Sequence, residues 1–301
     1  MSIGVSRQSP VISRQSRYTA AMPVDVDALV TSNTRLSAEY NVVALEAPEI
    51  ASRSHPGQFV MVKPARGFDP LLRRPFSVFE VLKDRYGTPS GLSLLNKRVG
   101  PSTRQILALE PGDRMPCLGP LGRPFTPVDS PASAWMVAGG VGLAPFATLA
   151  ERLRNEGVEA TLFYGARHAA DLFYLDWFER LGVRLQLATE DGSRGEHGLI
   201  TAPLERALHQ AEAPVPTMIY ACGPTGMLCA VAKLAATYRR PLEVSLEQVM
   251  GCGLGGCYSC VVRVRDHDDT GHLVRSCLEG PVFRAEQILW DQLISHDLAM
   301  T

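Results

Sequence analysis

The sequence predicts three structural units: an antiparallel β-barrel, an α/β domain with a parallel sheet, and a small cysteine-rich unit at the carboxyl end. Three observations predict this multidomain layout: short strands between Pro- and Gly-bearing turns, then apolar strands alternating with helical stretches, then clustered cysteines and glycines. A chain of 301 residues has room for two or three domains. The predicted units are a disordered amino-terminal extension, the barrel, the α/β domain and the cysteine-rich unit, at residues 1–34, 35–129, 130–241 and 242–301.

The barrel prediction rests on four short segments in the first third of the chain. They alternate apolar and polar residues, and turns such as Pro56-Gly57 and Pro111-Gly112 separate them. Short strands joined by tight turns favour antiparallel pairing. We expect strands at residues 40–45, 59–63, 76–81 and 92–95.

The periodicity changes after the turn-rich segment 124–133. Apolar runs of strand length alternate there with stretches of helical period, which is typical of a parallel sheet covered by helices. Alternation resumes at 261–264, which predicts a strand in the third unit. In the α/β domain we expect strands at residues 135–138, 160–164, 184–188 and 218–221, and a helix at 146–156.

Composition argues against two classes of function. The net charge is −1, with 30 Lys and Arg against 31 Asp and Glu, so the chain lacks the positive field that attracts nucleic acid. The longest apolar run, residues 135–150, is interrupted by glycines and a proline and is shorter than the roughly 18 residues of a membrane span. We therefore expect no nucleic-acid partner and no membrane span.

The seven cysteines favour a reducing compartment, because their clustering suits a metal centre better than a disulfide framework. Residues 1–24 carry Arg7, Arg14, Arg17 and many serines, which is superficially similar to an organelle transit segment. A disordered polar extension is the commoner explanation at a chain terminus. We therefore expect a cytoplasmic location.

The cysteine-rich unit carries the strongest chemical signal. Cys252, Cys257 and Cys260 have a Cys-x4-Cys-x2-Cys spacing, and Cys277 follows after 16 intervening residues. This is the ligand spacing of plant-type [2Fe–2S] centres, in which four thiolates hold two irons. A structural zinc site is the alternative, but zinc ligands usually come as Cys-x2-Cys pairs, and the sequence has no second such pair.

A glycine-rich turn follows the first predicted strand of the α/β domain and opens the predicted helix. Small residues at this place let a pyrophosphate approach the helix N-terminus. A proline stands where the third glycine of the dinucleotide-binding fingerprint would fall, so a simple strand–helix turn is the alternative. The candidate nucleotide-binding residues are Gly139, Gly140, Gly142 and Pro145.

Two more strand ends predict the same crevice. Cys222, Gly223 and Pro224 follow the predicted strand 218–221, and the polar segment 189–193 follows the strand 184–188. Ligands of open α/β sheets bind beside the carboxyl ends of strands. Taken alone, Cys222 is equally compatible with a buried apolar cysteine.

The predicted barrel carries a basic motif and then a loop rich in hydroxyl groups. Arg73-Arg74-Pro75-Phe76-Ser77 is followed by the segment 94–103, which ends in Gly-Pro-Ser-Thr. A cation and a hydroxyl on a strand, with a basic loop at a helix start, suit a flavin and its diphosphate. Solvated arginines at a strand edge are the alternative.

Along the chain, the basic motif at 73–77, the glycine-rich turn at 139–145 and the strand end at 222–224 come in the order seen in the ferredoxin–NADP reductase superfamily, which this sequence resembles. The flavin barrel of that superfamily carries Arg-x-x-Ser, and its nicotinamide domain carries Gly-Gly-x-Gly-x-x-Pro and Cys-Gly-Pro. The carboxyl-terminal unit narrows the resemblance to the electron-transfer subunits of NAD-linked (class 1B) dihydroorotate dehydrogenases. It has Glu247 ahead of the cysteines and Arg275-Ser-Cys277-Leu-Glu-Gly280-Pro281-Val282-Phe283 around the last one. The resemblance spans residues 35–292.

The resemblance implies a FAD-binding barrel, a NAD-binding α/β domain and a [2Fe–2S] cluster domain. Nicotinamide gives up two electrons as hydride and a cluster accepts one at a time, so the flavin must lie between them. Where the family has Gly-Thr, this chain has Ser102-Thr103. The implied FAD contacts are Arg74, Pro75, Phe76, Ser77, Leu95, Asn96, Lys97, Ser102 and Thr103, and the implied cluster ligands are Cys252, Cys257, Cys260 and Cys277.

The three units leave no space for a (β/α)₈ barrel of about 250 residues, so the organic substrate is expected to react on another chain. The resemblance implies an FMN-containing dihydroorotate dehydrogenase catalytic subunit as partner, with electrons running from dihydroorotate through FMN, cluster and FAD to NAD⁺ in pyrimidine biosynthesis. Electron transfer needs short distances, so we expect Leu254 and Tyr258 near the interface. The alternative is that Tyr258 packs against its own domain.

Other interpretations stay open at this point. The same domain order suits a subunit of a sulfide dehydrogenase, a hydrogenase or a ferredoxin-linked reductase. A non-catalytic redox sensor is the alternative from another class, and the flavin motif argues against it. Arg167 would suit the 2′-phosphate of NADPH and is equally compatible with NADH, which we favour on the resemblance alone.

Overall fold

The computed structural model describes residues 22–65, 67–129, 133–210, 217–266 and 271–293. The first unit is an antiparallel sheet, as predicted. It has seven strands in the order β4-β3-β7-β1-β2-β6-β5. Helices α1 (Pro48–Ala51) and α2 (Pro101–Leu107) lie in the connections between strands. Its strands are β1 (Val24–Arg35), β2 (Tyr40–Glu46), β3 (Phe59–Val62), β4 (Arg74–Ser77), β5 (Glu80–Lys83), β6 (Pro89–Lys97) and β7 (Arg114–Leu121).

Strand β1 corrects the prediction of a disordered extension over residues 1–34. It pairs with both β2 and β7 and so lies inside the sheet. Val24, Val26, Ala28 and Val30 alternate with other residues along it, and Ala28 and Val30 are buried. This alternation is the ordinary signal of a half-buried strand. Residues 1–21 of the predicted extension lie outside the described residues.

The predicted strand 76–81 is two strands in the structure. Strand β4 pairs with β3, and strand β5 pairs with β6. Between them, Val78 N–H donates to the carbonyl of Gln58 and Phe79 N–H to that of Ser93. The chain therefore changes partner within an apolar run that shows no break in the sequence.

The second unit is the predicted parallel sheet. Its helices are α3 (Phe146–Asn155), α4 (Leu175–Arg180), α5 (Thr201–Gln210) and α6 (Thr225–Thr237). Its strand order, β11-β10-β9-β8-β12-β13-β16, reverses between β8 and β12. The strands are β8 (Ser133–Gly139), β9 (Glu159–Ala166), β10 (Arg184–Thr189), β11 (Glu196–His197), β12 (Thr217–Cys222), β13 (Leu242–Ser245) and β16 (Val282–Arg284).

The strands at the two ends of the third unit belong to this second sheet. Strand β13, which the predicted boundary at 242 assigned to the cysteine-rich unit, pairs in parallel with β12, and β16 returns antiparallel to β13. Leu242 and Val244 are buried in the core of the sheet, which explains why the strand belongs there. Between the two strands lie β14 (Val261–Val264), β15 (His272–Arg275) and α7 (Ser276–Glu279).

The three units pack against one another. Aromatic pairs join the antiparallel sheet to the parallel one: the rings of Tyr40 and Phe173 lie 4.9 Å apart, and those of Phe79 and Tyr174 lie 4.7 Å apart between centroids. The cysteine-rich unit packs on β3 and β7 through a separate apolar cluster. Within the described ranges, no helix has the length and apolar character needed to cross a membrane.

Candidate functional site

The four cysteines predicted as ligands lie together as two pairs. Cys252 lies close enough to Cys257, and Cys260 close enough to Cys277, for each pair to affect one another's pKa, and Cys252 also acts on Cys277. In the part of the chain that the structure describes, no group of three or more His, Cys, Asp or Glu has the arrangement of a metal-ion site. Four thiolates at the Cys-x4-Cys-x2-Cys…Cys spacing are the ligand set of a centre of two irons.

Burial separates the thiols chemically. Cys277 is 1% exposed, and burial, followed by its contact with Cys260, raises its pKa to about 12. Cys257 is exposed, and hydrogen bonding to the Ser259 hydroxyl lowers its pKa to about 6. A buried thiol with a raised pKa loses its proton when a cation binds the sulfur instead. The donor set therefore fits a [2Fe–2S] group.

Glycines hold the cysteine loop directly on the first sheet. Gly253 has φ +71°, and a Cβ placed on it would lie 2.5 Å from Cγ of Met61 in β3. On the other side of the loop, Arg275 Nη1 donates to the carbonyl of Gly255 (2.9 Å), and Ser276 N–H donates to that of Cys260 (2.9 Å). The metal-binding loop is thus fixed against the barrel-like unit.

The predicted flavin motif forms strand β4. Its four residues, Arg74 to Ser77, are all half-buried, whereas the four residues of the neighbouring β3 are buried. Arg73 is ion-paired with Asp25 at 2.8 Å, which gives it a structural partner. The Arg74 guanidinium donates to the carbonyls of residues 72 and 73. Strand β4 therefore has accessible surface, unlike β3.

The loop before α2 is shaped by Thr103. Its hydroxyl accepts hydrogen bonds from the N–H groups of Val99 and Gly100, both at 2.9 Å, and donates to the Gly100 carbonyl. The neighbouring Ser102 is 4% exposed. The Thr103 side chain thus closes the loop rather than pointing a free hydroxyl at a ligand.

Asn96 lies inside the sheet rather than on its surface. Its amide nitrogen donates to Asn41 Oδ1 (2.7 Å) and to the Thr103 carbonyl (3.0 Å). Asn41 in turn donates to Asn33 Oδ1 (2.6 Å), and Asn33 donates to the Leu109 carbonyl beyond the end of α2 (2.7 Å). This asparagine chain fixes the loop from within. Isolated asparagines in strands carry no sequence signal that would have predicted it.

The predicted nucleotide-binding residues meet where the strand order of the parallel sheet reverses. Ala138 of β8 lies opposite Cys222 of β12. A Cβ on Gly142 would lie 2.3 Å from the Cys222 carbonyl oxygen, and one on Gly223 would lie 3.0 Å from the Gly139 nitrogen. The backbones after both strands therefore touch, and α3 begins directly after Pro145. Open sheets bind their ligands at such a reversal point.

The barrel-like unit approaches this point closely through Tyr40. A Cβ built on Gly140 would lie 3.9 Å from Tyr40 Oη, and Lys97 Nζ lies 5.4 Å from the Tyr40 ring centroid. Glu247 follows β13, and desolvation of its carboxyl group raises its pKa, while the charge of Lys97 opposes that shift. Sequence reasoning missed Tyr40, which carries no motif. Leu95, by contrast, is 2% exposed and belongs to the apolar core.

An antiparallel flavin-type sheet, a parallel nicotinamide-type sheet and a four-cysteine loop between them define a ferredoxin reductase-like flavin and iron–sulfur oxidoreductase linked to NAD. A model of the iron–sulfur cluster binding domain of dihydroorotate dehydrogenase B matches residues 247–289, and a model of the oxidoreductase NAD-binding domain matches residues 136–233. The chain belongs to the family of electron transfer subunits of NAD(+)-dependent dihydroorotate dehydrogenase B.

Curated relatives with this name cover most of the chain. The subunit from Desulforamulus reducens is 36% identical over 88% of this chain and 98% of its own length. The subunit from Bacillus caldolyticus is 35% identical over 87% and 98%, and one from Enterococcus faecalis is 32% identical over 86% and 96%. The predicted cofactors FAD, [2Fe–2S] and NAD are confirmed at the level of this family.

Solved structures agree on the fold. The structure of an NADH-dependent reduced ferredoxin-NADP oxidoreductase, from work on flavin-based electron bifurcation, superposes with a TM-score of 0.78 at 26% identity. It covers 90% of this chain and 92% of its own. The Amycolatopsis cytochrome P450 reductase GcoB gives 0.60 at 26% identity over 72% of this chain and 67% of its own.

Proposed function

We propose that this chain exchanges electrons between NAD(H) and an FMN-containing catalytic subunit that oxidises dihydroorotate, in the cytoplasm. Family membership supports a catalytic partner, and a four-thiol metal site is consistent with a reducing compartment. The single observation that carries the proposal is the seating of the cysteine loop on β3, with Gly253 against Met61. This contact holds the metal site and the flavin strand on one rigid frame.

In this proposal the accessible strand β4 holds FAD, through Arg74, Pro75, Phe76 and Ser77. Lys97 supplies a cation on one side, and the loop closed by Thr103, with Ser102 and Asn96 behind it, holds the backbone in place. The chemistry that FAD supplies when bound is conversion between two-electron hydride and one-electron exchange. The chain's part is to bind the cofactor, orient it and exclude water.

The carboxyl edge of the parallel sheet, at the ends of β8 and β12 where Tyr40 approaches Gly140, is the proposed place for NAD(H). Gly139, Gly142 and Gly223 let the backbones after β8 and β12 pack closely, and Gly140 leaves open space beside the start of α3, where a phosphate-bearing ligand would bind. Cys222 is buried at the carboxyl end of β12, and burial, then the charge of Glu247, raises its pKa well above the ordinary value, so its thiol stays neutral. No proton needs to move from a side chain for hydride transfer.

The surface beside the metal site is the proposed contact with the partner subunit. Leu254, Tyr258 and Leu278 are 54%, 61% and 40% exposed. Tyr258 has φ +59°, a backbone conformation that residues other than glycine rarely adopt. The Arg275 guanidinium carbon lies over its ring, 5.0 Å from the ring centroid. Exposed apolar residues grouped around a redox site mark a surface that a partner covers.

Co-expression with an FMN-containing dihydroorotate dehydrogenase subunit tests the proposal. We expect the two chains to copurify and dihydroorotate to reduce NAD⁺ only when both are present. Tyr258→Ser should weaken the association, whereas Tyr86→Ser, an exposed tyrosine on the β5–β6 turn, should not. Full NAD⁺ reduction by the catalytic subunit alone would contradict the proposal, and unchanged association of Tyr258→Ser would remove the proposed contact.

A second candidate is a subunit of a ferredoxin-linked reductase, a sulfide dehydrogenase or a hydrogenase. The similarity to the NADH-dependent reduced ferredoxin-NADP oxidoreductase structure, which covers 90% of this chain, favours it. In that case the chain would copurify with a different partner and would not support NAD⁺ reduction by dihydroorotate. The co-expression experiment therefore separates the two candidates.

A further inference from the structure

Ser259 stands between two of the predicted cluster ligands and contacts one of them through its side chain. Its Oγ lies 3.2 Å from Cys257 Sγ. The same oxygen accepts a hydrogen bond from Gly251 N–H at 2.9 Å. Gly251 comes directly before Cys252, the first ligand, so the Ser259 side chain joins the start of the cysteine loop to its end.

The direction of the hydrogen bond between Ser259 and Cys257 follows from the chemistry of a ligand sulfur. A cysteine binds iron as a thiolate, which has no proton to donate. A serine hydroxyl has one proton to donate and two acceptor positions, of which Gly251 N–H uses one. With iron on Cys257, the Ser259 hydroxyl is therefore the donor and the sulfur the acceptor.

We propose that Ser259 raises the reduction potential of the [2Fe–2S] cluster by donating this hydrogen bond to Cys257 Sγ. Reduction adds one negative charge that the ligand sulfurs share, and a hydrogen-bond donor at a sulfur stabilises the more negative state. Ser259 thus acts through a ligand without being one. The inference rests on the proposed assignment of Cys257 to the cluster.

Exposure limits the size of the effect. Ser259 and Cys257 are both exposed, so water competes with the sulfur for the hydroxyl proton. The hydrogen bond from Gly251 N–H restricts where the oxygen lies and keeps it beside the sulfur. We therefore expect a moderate change in potential from the loss of this hydroxyl.

The main chain makes a comparable contact with the first ligand. Leu254 N–H donates to Cys252 Sγ at 3.3 Å, and a side-chain substitution does not remove that hydrogen bond. Ser259 differs because its hydroxyl can be deleted while the main chain of the loop stays the same. The alternative is a purely structural role, in which Ser259 only ties Gly251 to the loop. Such a role would change the stability of the loop and leave the potential of an intact cluster unchanged.

A redox titration of the FAD- and cluster-loaded chain tests the proposal. Electron paramagnetic resonance counts the reduced cluster separately from the flavin. At a fixed potential, we expect Ser259→Ala to lower the ratio of reduced to oxidised cluster by roughly threefold to tenfold, a shift of about 30–60 mV toward negative values for one electron. Ser259→Thr keeps the hydroxyl and should stay close to wild type.

Gly256→Ala is the control in the same loop, because its added Cβ has no heavy atom within 4 Å, and it should leave the potential unchanged. Iron and inorganic sulfide are measured first, so that only fully loaded chains are compared. Ser259→Gly, which also lacks the hydroxyl, replaces Ser259→Ala if that variant does not hold a cluster.

The outcomes separate this proposal from the proposed function. An unchanged potential in a fully loaded hydroxyl-free variant would overturn the role of Ser259 and leave the proposed function standing. Loss of the cluster from both hydroxyl-free variants, with a full cluster in Ser259→Thr, would assign the hydroxyl to assembly and overturn its role in the potential. A wild-type chain that assembles no [2Fe–2S] cluster would overturn both proposals.

Discussion

The four cysteines predicted as cluster ligands differ from the other cysteines in what surrounds them. Cys277 is buried beside Cys260, and burial first and then that contact raise its pKa, whereas Cys229 on α6 is also buried. Burial alone therefore does not mark a ligand. The distinguishing feature is a second thiol close enough to affect the pKa.

Replacing one ligand should remove the cluster. We expect Cys277→Ser to lose most of its iron and inorganic sulfide while keeping FAD, because a serine hydroxyl does not replace a thiolate of the pair. Iron and sulfide analysis and the visible spectrum measure this. Cys229→Ser is the matched control and should keep a full cluster, and equal cluster loss in both variants would contradict the ligand assignment.

Glu243 links the two large units and makes stability depend on pH. It is 4% exposed on β13, and its Oε2 accepts a hydrogen bond from Thr126 N–H (2.8 Å) in the connection from the first sheet. Burial raises its pKa despite the hydrogen bonds from Thr126. The folded chain therefore binds the Glu243 proton more tightly than the unfolded chain does. Stability from this group is present at low pH and is lost as the pH rises through the raised pKa.

Glu243→Gln should remove that loss. We expect the difference in Tm, variant minus wild type, to increase as the pH is raised from about 4.5, the ordinary pKa of a glutamate, to about 8. Thermal unfolding at several pH values measures it. Glu49→Gln, on the exposed side of α1, should give a curve parallel to wild type. A constant difference for Glu243→Gln across this range would contradict the argument.

At the scale of elements, the cysteine loop depends on one close approach. Gly253 has φ +71° and a Cβ there would meet Met61, whereas Gly256 lies in the same loop with no heavy atom within 4 Å of its Cβ position. We expect Gly253→Ala to destabilise the chain by about 2 kcal/mol, from the left-handed backbone and the clash. Denaturant unfolding and iron content measure the effect.

Gly256→Ala is the control for Gly253→Ala, because it changes the same loop without either penalty. It should unfold within about 0.5 kcal/mol of wild type and keep its iron. If both variants behave alike, the contact between Gly253 and β3 does not determine where the loop lies. The comparison separates loop flexibility from the seating of the loop on the first sheet.

Local patterns predicted most of the elements, and contacts between distant residues account for the differences. The strands around Ala138, Tyr164 and Ala221 are apolar runs with clear ends, so their positions could be predicted. The exchange of partners at Val78 and Phe79 could not, because it is decided by Gln58 and Ser93. Strand β1 did carry an alternating pattern, which the prediction of a disordered extension passed over.

The candidate site shows the same division. The cysteine spacing and the glycine-rich turn are local, and the structure brings their residues together. The asparagine chain from Asn33 to Asn96 spans three strands, and Tyr40 reaches Gly140 across two sheets. Neither the asparagine chain nor the contact between Tyr40 and Gly140 could be predicted from a local sequence pattern.

At the scale of the whole molecule, aromatic contacts fix the two sheets against each other. The rings of Phe79 and Tyr174 meet edge to face at 87°. We expect a double-mutant cycle of Phe79→Ala and Tyr174→Ala to give a coupling of about 0.5–1.5 kcal/mol in the free energy of unfolding. Phe79→Ala combined with Trp290→Ala, which lies in another core cluster, should be additive. Additivity in the first pair would mean that this contact does not join the sheets.

The return of the chain at β16 to the edge formed by β13 limits how far the cysteine-rich unit can move. The segment that holds the four cysteines leaves the parallel sheet after β13 and comes back to its edge at β16, so both of its ends are hydrogen-bonded into one sheet. A redox domain on a single flexible tether swings between donor and acceptor, and solvent viscosity slows it. Here such swinging would require two strands to separate, so the tunnelling distance inside this chain stays constant and the internal transfer rate should be insensitive to viscosity.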